Sequence, residues 1–491
     1  MNSNSQPTVG LLPLYLALYD ELLPELRDGF ADYLGRIVAG FEARGIAVRQ
    51  APVCCVAYEF EAAVRQFEGD GIDAIVTLHL AYSPSLEAID ALCGTSLPIV
   101  MLDTTMDAAY GVDVSPDRLM YNHGVHGVMD LASMLRRREK PYEIVAGHYS
   151  DPALLERAAE IVRNASAADT TVAGRCGDAA TADTVHPSSA GAPMNNNRIL
   201  RIGDAFTGMG DFAVEPELLR ERFGIEVEQV ELEALDKAVE AVTEEAVTAE
   251  LAVDRERFDC ELDEAVHRQS IRVGLGLRQL ITAGGYHGFS VNFQEFDRTD
   301  RASDTMPFLE ISKAMARGMG YAGEGDVLTA TLVGALAREF DAVTFTEIFC
   351  PDWTGNSLFL SHMGEISPAV AGDRPRICAK PAFDGKSATT AVLTCAVKPG
   401  PAVFVNLAPG PDDSFSLIVA PVEVLAEDDT LDPAMRDNVR AWVRPRCKVP
   451  DFLETYSRAG GTHHSALVLG DRMEVVVAFG RTLGVETCVI G

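Results

Sequence analysis

Two polar side chains interrupt the apolar patterns of two neighbouring predicted strands. Side chains alternate along a strand, so in DAVTFTEIF the carboxylate of Glu347 shares a face with Val343 and Phe345. In SLFLSHMGE the imidazole of His362 shares a face with Leu360 in the same way. An unpaired buried charge is costly, so these groups must be paired, hydrogen-bonded or bound to a metal. The simpler alternative is that the two residues only pair with each other or mark the strand ends.

A third acidic residue favours a functional site over that alternative. Glu324 lies in a Gly-Glu-Gly-Asp turn directly before a predicted helix, DVLTATLVGALAREF. The helix is indicated by apolar residues at steps of four, and Asp326 stands at its N-cap position. Glycines on both sides of Glu324 allow the backbone to bend closely around a site.

Composition limits the classes of partner. The chain has 491 residues, and 73 Asp plus Glu against 41 Lys plus Arg give a formal net charge of -32. Such an acidic surface argues against nucleic acid or an anionic membrane as the main partner. No signal peptide and no apolar run long enough to span a bilayer are found, and the ten cysteines are scattered without framework spacing. We therefore expect a cytoplasmic protein with reduced thiols.

The order of apolar patterns predicts an α/β fold with about three domains. Residues 1–170 alternate strand-like and helical runs, which is typical of a doubly wound parallel sheet, with His79 and Asp103 at carboxyl ends of its strands. Residues 171–340 repeat the pattern in a second doubly wound α/β domain with a flexible insertion near 175–197. Residues 341–491 contain many short strands with turn signals, which predict a mostly β C-terminal domain, a small antiparallel barrel.

Two histidine motifs complete the set of candidate residues. In NHGVHG, His123 and His126 stand among glycines before a helix predicted from about Val128 to Arg138, where they could contact a polar ligand. The alternative is a solvated loop with capping residues. In GGTHH, His463 and His464 are adjacent, and alternation along an extended backbone predicts that at most one faces a given site. By itself this pair is a weak metal signal.

The ordered set GEGD, TFTEIF, SHMGE and GGTHH, with NHGVHG and GMGDF before it, resembles the L-arabinose isomerase family and its L-fucose isomerase-like relatives. The resemblance extends from about residue 70 to 470. It implies a divalent metal, usually Mn²⁺, held by two glutamates and two histidines, with Co²⁺ or Fe²⁺ as alternatives. Matched motif by motif, these ligands are Glu324, Glu347, His362 and His464.

The resemblance also implies the reaction. The family interconverts an aldose and its ketose through a metal-stabilised enediol, with Glu324 and Glu347 as the acid/base pair. It implies a homo-oligomer, a tetramer or a trimer-based hexamer, in which the NHGVHG loop reaches a neighbouring subunit's metal. The residues that it assigns to sugar binding are His126, His123 in place of the family's usual glutamine, Gln294 and His463.

Departures from the family pattern affect the prediction of which sugar is the substrate. GLLPLYLALYD lacks the Ser-Gln-His-type loop of arabinose isomerases, and Gln294 stands where they carry a phenylalanine. We therefore predict a pentose, hexose or modified sugar other than L-arabinose. Arg298 and Arg301 could meet an anionic sugar, or could be ordinary surface arginines. The competing hypotheses are a sugar-binding or sugar-sensing protein on an isomerase scaffold and another metal-assisted sugar reaction, such as epimerisation.

Overall fold

The N-terminal part of the chain forms a five-stranded parallel sheet with helices on both faces. The computed structural model describes residues 6–167 and 194–491, so most of the predicted insertion lies outside the described residues. The strand order is β2-β1-β3-β4-β5. The strands are β1 (Thr8–Leu14), β2 (Ala47–Gln50), β3 (Ala74–His79), β4 (Ile99–Asp103) and β5 (Tyr142–Ala146). The helices are α1 (Ala17–Leu22), α2 (Ala31–Glu42), α3 (Ala57–Asp70), α4 (Ser85–Gly94), α5 (Val125–Arg137) and α6 (Pro152–Ala167).

A second parallel sheet, with the order β10-β9-β6-β7, forms the centre of the next part of the chain. Its helices are α7 (Pro216–Phe223), α8 (Leu232–Glu240), α9 (Glu244–Arg257), α10 (Glu264–Gly284), α11 (Phe308–Met315) and α12 (Val327–Glu339). The strands of this part are β6 (Arg198–Ile202), β7 (Glu226–Val230), β8 (Asp259–Glu261), β9 (Gly288–Val291) and β10 (Gly320–Gly323). The short β8 lies between α9 and α10, and it joins a separate three-stranded sheet.

The C-terminal part closes into a six-stranded antiparallel barrel. Its strands follow the order β15-β18-β11-β12-β17-β16, and the pairing of β16 with β15 completes the ring. The strands are β11 (Val343–Asp352), β12 (Ser357–Ser361), β13 (Arg376–Lys380), β14 (Thr390–Thr394), β15 (Gly400–Pro409), β16 (Phe415–Val424), β17 (Ala441–Pro445), β18 (His464–Leu469) and β19 (Glu486–Val489), and the helices are α13 (Val449–Arg458) and α14 (Met473–Leu483). β19 adds to β16 outside the ring, whereas β13 pairs with β14 on one side and with β8 on the other. The predicted fold class, two α/β units followed by a small antiparallel barrel, is confirmed; the domain boundaries at 170 and 340 stay predictions.

The N-terminal sheet packs against the barrel of its own chain. The backbone amide of Ala146, at the end of β5, donates to Glu454 Oε1 of α13 at 3.0 Å. Trp442 Nε1 of β17 donates to the carbonyl oxygen of Tyr110 at 2.8 Å. These contacts bring the carboxyl edge of the first sheet, with the start of α5, over the end of the barrel.

The NHGVHG segment begins a helix earlier than the sequence predicts. Gly124 adopts right-handed helical backbone angles and α5 starts at Val125, so His126 lies in the first helical turn and not in a loop. The glycines permit a close approach to the end of β3. A Cβ on Gly124 would lie 2.6 Å from the carbonyl oxygen of His79, and one on Gly127 would lie 2.4 Å from His79 Cδ2.

His79 provides a prediction about acid stability. Its side chain is fully buried, neither ring nitrogen has a hydrogen-bond partner among the described residues, and burial lowers its pKa from 6.5 to about 3. Because the folded-state pKa is depressed, the stability that neutral His79 contributes is present above about pH 6.5 and is lost as pH falls towards 3. At pH 5 the loss is about 2 kcal/mol.

We expect His79→Gln to reduce the acid sensitivity of folding. Urea unfolding at pH 7 and pH 5 measures the loss of unfolding free energy in each protein, and the variant should lose about 2 kcal/mol less than the parent chain. An equal loss in both proteins would show that the imidazole of His79 does not titrate on unfolding in this range.

No helix in the described part of the chain is long and apolar enough to cross a membrane. Among the described cysteines, the free thiols are Cys54, Cys55, Cys93, Cys260, Cys350, Cys378, Cys395 and Cys447.

Candidate metal centre

Four side chains that lie far apart in the sequence meet at the end of the barrel. Glu347 on β11 is opposite Ser361 of β12 on one side and His464 of β18 on the other, and His362 follows directly after β12. Glu324 reaches the same point from the turn after β10. His464 Nε2 lies 3.3 Å from Glu324 Oε2, and His362 Nε2 lies 3.7 Å from Glu347 Oε2. The structure therefore brings all four predicted metal ligands together.

Three imidazoles of this cluster are each held by a buried carboxylate through Nδ1. This arrangement fixes the ring and leaves Nε2 directed at the glutamates, as in many metal-binding histidines. The pairs are His362 with Glu365 at 2.7 Å, His463 with Asp211 at 2.7 Å, and His464 with Asp326 at 3.0 Å.

The donor set fits a divalent metal ion. The donor atoms of Glu324, His362 and His464 lie within 4.8 Å of one another, and so do those of Glu347, His463 and His464. Nε2 of His463 and Nε2 of His464 are buried without a well-aligned hydrogen-bond partner among the described residues. Orphaned imidazole nitrogens beside carboxylates are the ligand type that Mn²⁺, Fe²⁺ or Co²⁺ accept.

Both adjacent histidines approach the glutamates, so the prediction that at most one faces the site is wrong. His463 Nε2 lies 3.9 Å from Glu324 Oε2 and 4.0 Å from Glu347 Oε1. His463 precedes β18, and only His464 belongs to the strand. The alternation of an extended strand therefore does not apply to the pair.

Both glutamates are ionised in this environment. Burial disfavours the charged form of Glu324, but the neighbouring His463 and His464 outweigh this effect and hold the pKa of Glu324 well below its usual value. Burial likewise opposes the charge on Glu347, and His126 with the other imidazoles lowers the pKa of Glu347 to about 2. The cluster therefore offers two carboxylates able to accept a proton or bind a cation.

The GEGD turn is constrained by its backbone. Glu324 has a positive φ of 62°, which is uncommon for a residue with a side chain, and Gly325 follows with a φ of 86°. A Cβ on Gly325 would lie 2.4 Å from the Cα of Ala205, so only glycine fits there. Asp326 then caps α12 with one carboxylate oxygen and holds His464 with the other.

The NHGVHG residues meet the glutamates within one chain. His126 Nδ1 lies 2.5 Å from Glu347 Oε1, and the His123 ring is 4.0 Å from the His126 ring. Within the single chain the segment lies against its own barrel; the implied approach of this segment to a neighbouring subunit's metal stays a prediction. The docking of β5 and α5 onto α13 of the same chain holds the segment against the barrel.

Gln294 is not brought to the cluster. β9 ends at Val291, and the side chain of Asn292 accepts a hydrogen bond from the Gln294 amide, which turns the chain into a short 3-10 helix. As a result Gln294 is exposed, and the neighbouring Phe293 lines the cavity. The prediction of Gln294 as a sugar contact has no support in this chain.

The two arginines after this strand pair with acids elsewhere. Arg298 Nε lies 3.0 Å from Asp300, and Arg301 contacts Glu233 and Asp236 at 2.8 Å. Neither arginine lines the cavity: Arg298 is exposed at the surface, and Arg301 is mostly covered within its ion pairs.

A cavity of about 630 Å³ opens onto the cluster. Several of its walls carry no signal in the sequence, because they come from separate segments and have no unusual local pattern. The wall residues that sequence reasoning missed include Tyr19, Tyr82, Phe206, Met209, Phe349 and Phe383. Asp211 was also missed as an individual residue, although it stands inside the GMGDF motif that carried the resemblance.

Comparison with known proteins agrees with the geometry. Residues 198–339 match the family model of the L-arabinose isomerase central domain, and residues 342–486 match that of the L-arabinose isomerase C-terminal domain. L-arabinose isomerase from Nocardioides sp. is 27% identical over 468 residues, which cover 90% of this chain and 86% of that protein. The L-arabinose isomerases of Acidothermus cellulolyticus and Geobacillus kaustophilus are each 26% identical and are matched over 85% of this chain and 80% of their own length. The chain therefore belongs to the L-arabinose isomerase family, which confirms the predicted class of sugar isomerase enzymes.

Proposed function

We propose that this protein is a metal-dependent aldose-ketose isomerase whose sugar is not L-arabinose. The observation that supports it most is the pair of ionised glutamates, Glu347 buried and Glu324 partly buried, beside imidazoles with free Nε2 atoms at one end of a cavity. A sugar-binding protein would need neither two such carboxylates nor their carboxylate-held histidines. Mn²⁺ is the proposed metal, and its ligands would be Glu324, Glu347, His362 and His464.

The two carboxylates can carry out the proton transfers that the reaction needs. When bound, the metal would act as a Lewis acid towards the carbonyl and neighbouring hydroxyl oxygens of the open-chain sugar. One glutamate takes the proton from C2 of the aldose and returns it at C1, while the proton of the C2 hydroxyl moves to the oxygen on C1. His126 holds Glu347 at 2.5 Å and limits its rotation during this transfer. Tyr82 and Phe349 cover the histidines and exclude water.

The test uses metal-stripped protein with and without added Mn²⁺. A panel of aldoses and ketoses is incubated in D₂O and followed by NMR. We expect ketose formation, and deuterium at C1 or C2, only in the samples with metal. Sugar binding in the presence of Mn²⁺ without turnover or exchange of any sugar would contradict the proposal and favour a binding protein. A product with inverted configuration at C2 and no ketose would favour epimerisation.

A further inference from the structure

The cavity at the candidate metal centre has two chemically different walls. One wall consists of the glutamates and histidines of the cluster. The other is built by short segments from all three parts of the chain, and its side chains are almost all hydrocarbon or thioether. The apolar residues that line the cavity are Leu16, Leu18, Leu119, Met120, Phe206, Met209, Phe293, Phe349, Met363 and Phe383.

The outer part of this apolar wall is closed by aromatic contacts. The ring of Phe383, from the segment after β13, meets the edge of the Tyr19 ring in α1 at 6.3 Å between centroids. Phe206 and Phe293 pack against each other at 5.8 Å. Phe383 is 37% exposed, whereas Phe206 is buried, so the apolar surface continues from solvent towards Glu324. A sugar whose carbonyl end lies between the glutamates therefore has its other end against hydrocarbon.

Charge in the cavity disfavours an anionic substrate. Among the described residues that line it, none is Lys or Arg, and the charged carboxylates are Glu324 and Glu347. A phosphate or carboxylate on the sugar would be buried without a cation to pair with it. The same reasoning applies to a hydroxyl, because an apolar wall leaves a buried hydroxyl without a hydrogen-bond partner.

A neighbouring cavity of about 580 Å³ contains a lysine, but its geometry does not suit the reacting sugar. Lys380 lines that second cavity, where its ammonium donates to the carbonyl oxygen of Met363. Glu324 and His362 line both cavities, whereas Glu347 and His126 line only the first. A sugar that contacts both glutamates therefore has its reacting end in the first cavity, although Phe293, Met363 and Phe383 line both cavities.

We propose that the substrate is an uncharged aldose that carries an apolar substituent at the end remote from its carbonyl group. This inference rests on the proposed isomerase function and narrows its substrate class. A methyl group is the smallest substituent that fits this description.

The test compares aldohexoses that share their configuration at C2 to C5 and differ only at C6. The four C6 groups are hydroxymethyl, methyl, methoxymethyl and carboxylate, and each stereochemical series is assayed with the Mn²⁺-loaded protein. In a hydrophobic pocket, kcat/KM differs by about tenfold or more between substrates that differ by a single group of this size. We expect kcat/KM for the methyl and methoxymethyl sugars to exceed that of the hydroxymethyl sugar by about tenfold, with the carboxylate lowest. Preference for the hydroxymethyl or carboxylate sugar would overturn the inference.

The same series separates this inference from the proposed function. If no member reacts, the proposed isomerase function is wrong. The affinities of the four sugars, measured by calorimetry, then test whether the cavity prefers an apolar group at C6. A binding order led by the methyl and methoxymethyl sugars supports the inference, and any other order overturns it.

A variant of the apolar wall provides an independent test. Leu18 is half-buried and lines the cavity, so Leu18→Lys would place a cation among the apolar side chains. We expect the ratio of kcat/KM for the carboxylate sugar to that for the methyl sugar to rise about tenfold. The matched control is Leu86→Lys, at a leucine of α4 that is 41% exposed and does not line the cavity, and it should leave the ratio unchanged. Leu18→Gln, which adds no charge, should lower the preference for methyl if Leu18→Lys does not fold. An unchanged ratio in folded Leu18 variants would overturn the inference.

Discussion

Replacement of Glu347 by glutamine is expected to lower kcat by about 10² to 10⁴-fold, with a small effect on KM. Glutamine has nearly the same shape, but it is not ionised and cannot accept the proton from C2. The change also removes the charge that His126 and His362 face at 2.5 Å and 3.7 Å. Because the carboxylate is buried, solvent cannot easily supply another base. Steady-state kinetics with Mn²⁺ at saturation measures the effect.

The effect on kcat of losing bound metal must be distinguished from the effect of losing the catalytic base. The amount of Mn²⁺ bound by Glu347→Gln is therefore measured by elemental analysis, and kcat is expressed per bound metal ion. The matched control is Glu423→Gln, at an exposed position of β16 in the same barrel, which should keep full activity. Full activity per metal ion in Glu347→Gln would rule out Glu347 as an acid/base group and leave that role to Glu324.

The sequence predicted the parts of the site that depend on local patterns. Glu347 and His362 were conspicuous because each replaces an apolar side chain on a strand face, and both are buried as expected. Glu324 was marked by its flanking glycines, and the structure explains them by positive φ at Glu324 and Gly325. The strand alternation after residue 341 likewise predicted the barrel, because its strands are apolar and separated by turns.

The carboxylates that hold the histidines could not be predicted in this way. Asp211 is 252 positions from His463, and Asp326 is 138 positions from His464. From the sequence, Asp326 is sufficiently explained as a helix cap, and its second oxygen has no local signal. Only the folded arrangement of sheet, helix and barrel shows that these acids meet the imidazoles.

Short-range geometry accounts for the predictions that failed. Phe293 and Gln294 are adjacent, and the short 3-10 helix Phe293–Glu295 leaves Gln294 exposed whereas Phe293 lines the cavity. Likewise, α5 begins at Val125 because Gly124 adopts helical angles, which sequence patterns do not determine within a few residues.

A second large effect is expected outside the site, at a buried lysine. Lys313 of α11 is 4% exposed, and its ammonium lies 2.9 Å from Glu250 Oε1 and contacts Asp254 of α9. Asp254 is fully buried and also accepts from His267 Nε2 at 3.0 Å. Lys313→Met keeps the volume but leaves the buried carboxylate of Asp254 without its cation. The partly buried Glu250, by contrast, keeps its ion pair with Arg278. We expect the unfolding free energy to fall by about 3–5 kcal/mol, measured by urea unfolding followed by circular dichroism.

The origin of this loss can be isolated by a second substitution. Lys237→Met, at an exposed lysine of α8, is the matched control and should change the unfolding free energy by less than about 0.5 kcal/mol. The double variant Lys313→Met with Asp254→Asn no longer has the carboxylate charge that Lys313→Met leaves without a cation. Its loss of unfolding free energy should therefore be smaller than the sum of the losses in the two single variants. Losses that simply add would mean that Lys313 contributes through packing of its hydrocarbon chain. A coupled loss instead identifies a charge pair that the fold requires at the junction of α9 and α11, away from the residues that bind the sugar.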